Sequence, residues 1–520
     1  MKPALFKAFL SGIILSFLVL SSSMICLFRS GVSAVIDTAL LSIGLLALLR
    51  GMNSVNVALS DIFARAFISG ASTASLYLIV LVLNGNTISN RLYIYFALVM
   101  IVSAGAGILF FANIGHIFIG QKYPYPQLKP RLQILAAPTQ DTRKNRKLVA
   151  ATVFSAGYTL FCKHFSLQEF RLSNLSIPVF SNSLLYVSSG YFIGYRTWLK
   201  MLIGFFYSAT IFILFPAQSF SDHILNPYIY SVVLAFSLTN GGYAIMEAIQ
   251  NIRVPLSTPH RWRKKLSAIM ILVCLAIFYK LLFQLEPTLT DLSFFLLFLS
   301  IVATIISSTS TAIGVAETGF WFSILDDILP IILIAFTQMQ DISSIILLLA
   351  GFTSFEMAGI YYTINSRVGE RFAISKRIVT AASILSCTFS SIFAIMLVRV
   401  LSMGYSLGGS EYPVPNAKVL DMTIRSLILA FTEFTVPSYL NLYVFFAAVV
   451  LCILFKRKQI SPMNIISGIL LPFGAFLSLG VGALFSYTMR DNKDREIELF
   501  SGFSIGEGIV STALAFLYGI

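Results

Sequence analysis

Nine acidic residues lie in or beside long apolar runs: Asp37, Asp61, Glu247, Glu317, Asp326, Asp327, Glu356, Glu433 and Glu507. Inside lipid each such group costs about 2.5–3.5 kcal/mol on insertion scales, so a carboxylate found there is either neutralised or used. The use open to an isolated carboxylate within a membrane bundle is to gain and lose a proton. Glu507 leads the candidates for proton coupling, because it stands in Gly506-Glu507-Gly508, where the glycines permit close backbone approach or an unwound turn. Glu247 and Glu317 stand behind it. Asp61 reads differently, since Arg65 follows four residues on and a shared helix face makes the two a neutralised pair. Asp326 and Asp327 beside Pro330 read as a helix end.

The second chemical feature is Tyr-Pro-x-Pro, which occurs as YPYPQLK over Tyr123 to Lys129 and as YPVPNAK over Tyr412 to Lys418, 289 residues apart. Two prolines fix the backbone angle and remove donors, leaving a stiff, non-helical stretch with free carbonyls and a displayed tyrosine. Non-helical backbone at membrane depth survives only where protein or a water-filled cavity covers it. Tyr123, Pro124, Pro126 and Gln127, with Tyr412, Pro413, Pro415 and Asn416, are therefore candidates for lining a path. Further pairs repeat in the same order: SGYFIG (Ser189 to Gly194) with SGILLP (Ser467 to Pro472), and FSLTNG (Phe236 to Gly241) with FSIGEG (Phe503 to Gly508), which makes Asn240 the partner of Glu507. The halves read as diverged copies of one unit of about eight helical segments. Whether the copies are parallel or inverted depends on whether the apolar run Leu266 to Phe283 is an extra spanning helix between them.

Other chemistries lack their residues. The five cysteines are scattered without a CxxC, the four histidines are isolated, and no GxxxxGK[ST] phosphate loop occurs, so a metal site, a nucleotide-driven pump and a cofactor are not expected. No loop carries the clustered His, Asp or Arg set of a membrane-embedded enzyme, so catalytic residues are not expected either.

The elements that must position these residues follow from composition. Of 520 residues 57% are hydrophobic and 11% charged, against about 25% charged in a soluble domain. The solvent for most of the chain must be lipid. The expectation is an all-α polytopic membrane protein of about 14–17 transmembrane helices in two repeats: residues 1–252, a basic cytoplasmic linker with a possible extra helix at 253–291, and residues 292–520. The net charge of +14 marks cytoplasmic loops rather than a nucleic-acid partner. Lys122 to Lys147, Arg253 to Lys265, Arg367 to Arg377 and Lys456 to Lys458 are expected on the cytoplasmic side, Asn84 to Asn90 outside, and the N-terminus inside a cell membrane.

At the Tyr-Pro-x-Pro segments, and more closely over Ile460 to Met463, GILLPFG (Gly468 to Gly474) and SGFSIGEGIVSTAL (Ser501 to Leu514), the chain resembles the oligopeptide transporter superfamily, including its yellow-stripe-like branch. Leu128, Lys129 and Pro130 depart from the small residues usual after the first such segment, and GVAETGFW (Gly314 to Trp321) lacks the Asn-Pro of the middle stretch. The repeat and the absent phosphate loop point to secondary transport, and the resemblance adds the substrate class, oligopeptides or peptide-like metal chelates carried by a proton-coupled symporter with the Tyr-Pro-x-Pro residues near substrate. Asn240, the repeat partner of Glu507, is a further candidate there. The transporter's partners would be that small-molecule or peptide substrate, protons and membrane lipid. The competing readings are an enzyme or lipid-handling protein acting on a lipid-linked substrate, and a passive channel.

Overall fold

Apolar segments with no water at hand must satisfy their own amides, and helices do so within one segment. The computed structural model describes residues 10, 12–14, 16–17, 20, 24, 53–83, 90–115, 123, 125–126, 128–136, 142–167, 169–170, 180–217, 223–224, 226–252, 291–320, 342–404, 407, 414, 417, 420–421, 424–425, 440–489 and 496–518. Among them run α1 (Ser54–Leu83), α2 (Asn90–Phe110, continued by a π-turn to Gly115), α3 (Leu128–Ala136), α4 (Thr142–His164), α5 (Leu184–Ile193), α6 (Tyr195–Leu214) and α7 (Pro227–Ile252). The second half supplies α8 (Asp291–Thr318), α9 (Ile342–Arg371), α10 (Lys376–Gly404), α11 (Leu442–Arg457), α12 (Pro462–Leu470), α13 (Phe473–Thr488) and α14 (Ile497–Tyr518). Two-residue strands β1 (Glu169–Phe170) and β2 (Phe180–Ser181) pair antiparallel, Glu169 opposite Ser181.

Six helices among the described residues are long and apolar enough to cross a membrane: Asn90–Asn113, Tyr195–Leu214, Pro227–Glu247, Phe298–Thr318, Ser343–Arg371 and Lys376–Met403. Their outward faces stay apolar, with Ile213, Val400 and Met396 at 75%, 65% and 60% exposure, a surface suited to lipid and not to water. The chain is an all-α polytopic membrane protein.

Three boundaries differ from the sequence reading. The helix expected from Ala66 begins at Ser54, because the Asp61–Arg65 ion pair neutralises the polar turn and lets it enter the bundle. Helix α8 runs past Ile313 to Thr318, which puts Glu317 in its last turn. The run Met463 to Phe485 breaks at Leu471 and Pro472, since proline has no N–H to continue the ladder but suits a helix start. A fourth difference concerns charge: the stretch expected as a basic loop contains α3, whose Arg131 is buried. The first two apolar runs mostly, and all of 253–290 and 321–341, lie outside the described residues.

Equal spacing recurs between the halves. Helices α1 and α9 are both 30 residues long and begin 288 residues apart. Helices α5 and α12 begin 278 apart, as do α6 and α13. The packing is reciprocal: α5 on α13 and α12 on α6, α4 on α14 and α11 on α7, α2 on α9 and α10 on α1. Helices α1 and α9 run antiparallel, since Asn365 bonds the Ile62 carbonyl at 3.3 Å while Thr353 bonds the Tyr77 hydroxyl at 3.2 Å.

Glycines set the closest of these contacts. Where α5 crosses α13, a Cβ on Gly190 would land on the Leu479 carbonyl, and one on Gly482 on the Val187 carbonyl. Where α6 crosses α12, Gly204 faces the Ile465 carbonyl and Gly468 the Met201 carbonyl in the same way. Small residues at such crossings let backbones meet, which replaces the hydrophobic drive that lipid removes.

Candidate functional site

Helices α5 and α12 are half-helices, each ending within a few residues of a longer one. Gly194, with φ 85°, separates α5 from α6, a left-handed bend that favours glycine, and Leu471-Pro472 separates α12 from α13. Each begins at a serine, Ser183 and Ser461, 278 residues apart. The free N–H groups and aligned peptide dipoles of a helix start attract negative charge, by about 0.3–1 kcal/mol and up to about 2 when partly buried.

Both starts hold a carboxylate brought from another helix. Glu507 of α14 accepts from the Ser183 hydroxyl at 2.6 Å and from the Leu185 N–H at 2.8 Å. Glu317 of α8 accepts a short bond from the Ser461 hydroxyl. Both carboxylates are half-buried, and Lys456 and Lys200 stand within electrostatic reach of Glu317. Helix α14 continues unbroken through the glycines beside Glu507, and Gly506 serves close approach, since a Cβ there would strike the Thr152 carbonyl of α4.

The first Tyr-Pro-x-Pro segment lies against the end of α8. Tyr125 donates its N–H to the Ala316 carbonyl at 2.9 Å, and its own carbonyl accepts from Leu128, the first residue of α3, at 2.9 Å. Tyr123, Tyr125 and Pro126 are outside any helix, and Tyr125 and Val414, the third residues of the two segments, share a left-handed φ of 42°. Glu317 and Glu247 are both within electrostatic reach of the Tyr123 phenol, so three of the residues singled out in the sequence meet here. Glu247 is exposed. Pro124, Gln127, Tyr412, Pro413, Pro415 and Asn416 lie outside the described residues.

Asn240 is buried on α7 and donates to the Ser310 hydroxyl at 3.3 Å; Ser310 in turn donates to the Met463 sulfur on α12 at 3.2 Å. The neighbouring hydroxyls of α8 are satisfied by their own helix: Thr304, Ser308, Thr309 and Thr318 each donate to the carbonyl four residues earlier, at 2.8, 2.6, 2.8 and 2.9 Å. The amide oxygens of Asn240 and Asn464 are buried without a partner among the described residues. A molecule with N–H donors would satisfy them.

Sequence reasoning missed Ser183 and Ser461, although Ser461-Pro462 and Asn182-Ser183 before apolar runs are helix-start signals. It also missed Arg131 and Asn365, described below, for which the sequence gives no local signal. No curated protein matches the chain. Residues 223–518, which include Glu317, Ser461, Asn464 and Glu507, match the family model described as OPT oligopeptide transporter protein, and this span of more than half the chain places the protein in the oligopeptide transporter family.

Proposed function

We propose that the protein is a proton-coupled symporter that imports oligopeptides or peptide-like metal chelates across the cell membrane, with Glu507 and Glu317 as its coupling carboxylates. The observation that carries this reading is that each of the two half-helices begins at a serine bonded to a carboxylate from a different helix. Protonation of such a carboxylate removes the charge that the helix start attracts, and the freed N–H groups then receive an anionic group of the substrate. Loss of the proton reverses the exchange. Proton and substrate occupancy are thereby linked at one place, and the orphan amide oxygens of Asn240 and Asn464 are suited to peptide N–H groups. The Tyr-Pro-x-Pro segment, lying beside Glu317, lines the same site.

The two halves, 1–252 and 292–520, are inverted copies in this reading. Equal helix spacing, reciprocal packing and the shared φ of Tyr125 and Val414 support duplication, and the antiparallel course of α1 and α9 supports inversion. Loop charge agrees with it: the basic stretch after α9 goes to the cytoplasm while the Asn-rich turn after α1 goes outside, with the N-terminus inside. Inverted halves can exchange conformations around a central site, which is alternating access. Uptake of a labelled tripeptide into proteoliposomes, with and without an imposed inward proton gradient, tests the proposal. Accumulation only with the gradient is expected; equal uptake without it contradicts coupling.

A further inference from the structure

A second polar cluster lies away from the half-helix starts. Asp61 and Arg65 on α1, Arg131 on α3 and Asn365 on α9 are all at most 5% exposed. Arg65 Nε donates to Asp61 Oδ1 at 3.0 Å, Arg131 Nε donates to Asp61 Oδ2 at 2.6 Å, and Arg131 Nη2 donates to Asn365 Oδ1 at 2.7 Å. Two guanidiniums thus share one carboxylate, and no second carboxylate pairs with either among the described residues. Arg65 Nη2 is buried with no hydrogen-bond partner among the described residues.

In the duplicated reading of the halves, the equivalent positions do without this cluster. The residues 288 or 289 positions away are Leu349 for Asp61, Thr353 for Arg65, Leu420 for Arg131 and Tyr77 for Asn365. There, among the described residues, a Thr353–Tyr77 hydroxyl bond is flanked by apolar side chains, and none of these four equivalent residues is charged. An excess buried positive charge with an unused planar donor has one chemical complement. We propose that Arg65, with Arg131 behind it, forms a binding site for a small monovalent anion, a carboxylate group or a halide, distinct from the coupling carboxylates. The anion closes the charge balance and takes the free Nη2 donor, in the planar geometry for which arginine is suited. The site is independent of the roles proposed for Glu507 and Glu317, so it can fail while they stand.

The test uses the full chain purified in detergent, in sodium isethionate at fixed ionic strength, with chloride, acetate, dialanine or dialanine amide titrated in while the thermal unfolding midpoint is read. Saturable stabilisation by chloride or acetate is expected. Arg65→Gln, which leaves a neutral Asp61–Arg131 pair and so should fold, should raise the half-saturating concentration at least about tenfold, the cost of one charge-assisted hydrogen bond. Asp61→Asn adds excess charge and should lower that concentration, with the anion restoring part of its lost midpoint. Stabilisation by dialanine but not its amide identifies a substrate carboxylate as the source; stabilisation by chloride with dialanine inert identifies a free ion. No saturable effect in the unmodified protein, or an effect of the same half-saturation in Arg65→Gln, overturns the site.

Discussion

Replacing Gly190, Gly204, Gly468 or Gly482 by alanine should destabilise the bundle, and the structure gives the size. A Cβ at these positions would stand 2.7, 2.8, 2.9 and 2.7 Å from the facing carbonyl carbons of Leu479, Ile465, Met201 and Val187. That is roughly 1 Å inside the ~3.5–4.0 Å at which two carbons rest. The obstacle is backbone, so no rotamer change relieves it and the helices must separate. Each substitution should cost about 1–3 kcal/mol, the usual range for overpacking. Gly190 and Gly482 lie on one crossing, so a single displacement relieves both, and Gly190→Ala with Gly482→Ala should cost less than the sum of the two. Gly190→Ala with Gly204→Ala, on separate crossings, should be close to additive. Gly105→Ala and Gly157→Ala are the controls, because a Cβ there meets nothing within 4 Å and alanine is the better helix former by about 0.5–1 kcal/mol. The assay is unfolding of the purified protein by heat or denaturant, read by intrinsic fluorescence. If Gly190→Ala is as stable as Gly105→Ala, α5 and α13 do not cross there and the packing argument fails.

Three further outcomes follow from named contacts. Asp61→Asn, which leaves two buried guanidiniums facing one another, should cost about 3–5 kcal/mol, whereas Arg65→Gln should cost much less because Arg131 still pairs Asp61; equal losses in denaturant unfolding would contradict the shared-carboxylate geometry. Ser183→Ala removes a hydrogen bond to a carboxylate, worth about 1.5–3 kcal/mol, and should raise amide hydrogen exchange in the first turn of α5 while leaving α12 unchanged, with Ser461→Ala doing the converse. Single cysteines at Thr139, Ser257 and Ser375 in a cysteine-free background should react with an impermeant reagent from the cytoplasmic side only. Reaction of any one from outside refutes the proposed topology.

Much of the bundle was legible because lipid imposes strong rules. Among the described residues apolar runs became helices, and the four-residue spacing of Asp61 and Arg65 became a 3.0 Å ion pair. What escaped is instructive in detail. Arg131 sits among other basic residues, and nothing local distinguishes a base that turns inward to Asp61 from its solvated neighbours; its partners are 70 and 234 residues away. The helix break at Pro472 was hidden because Leu470, Leu471 and Phe473 keep hydropathy high across it, so an apolar run reported composition and not continuity. Of the two uses open to the glycines beside Glu507, close backbone approach and an unwound turn, Gly506 has the first, bringing α14 against α4, and only the facing backbone reveals which. Glu317 acquired its environment from Ser461, 144 residues on, through a tertiary contact with no pattern in sequence.

The central claim, that the carboxylates at the half-helix starts carry the coupled proton, is met most directly by measuring proton movement driven by substrate alone. Proteoliposomes holding a pH-sensitive dye, with equal pH on both sides and the membrane potential clamped, are given an inward gradient of an imported peptide. The lumen should acidify with the unmodified protein and stay at its starting pH with Glu317→Gln and Glu507→Gln combined, although both proteins insert equally. Acidification that persists at the same rate in the doubly substituted protein would contradict the account.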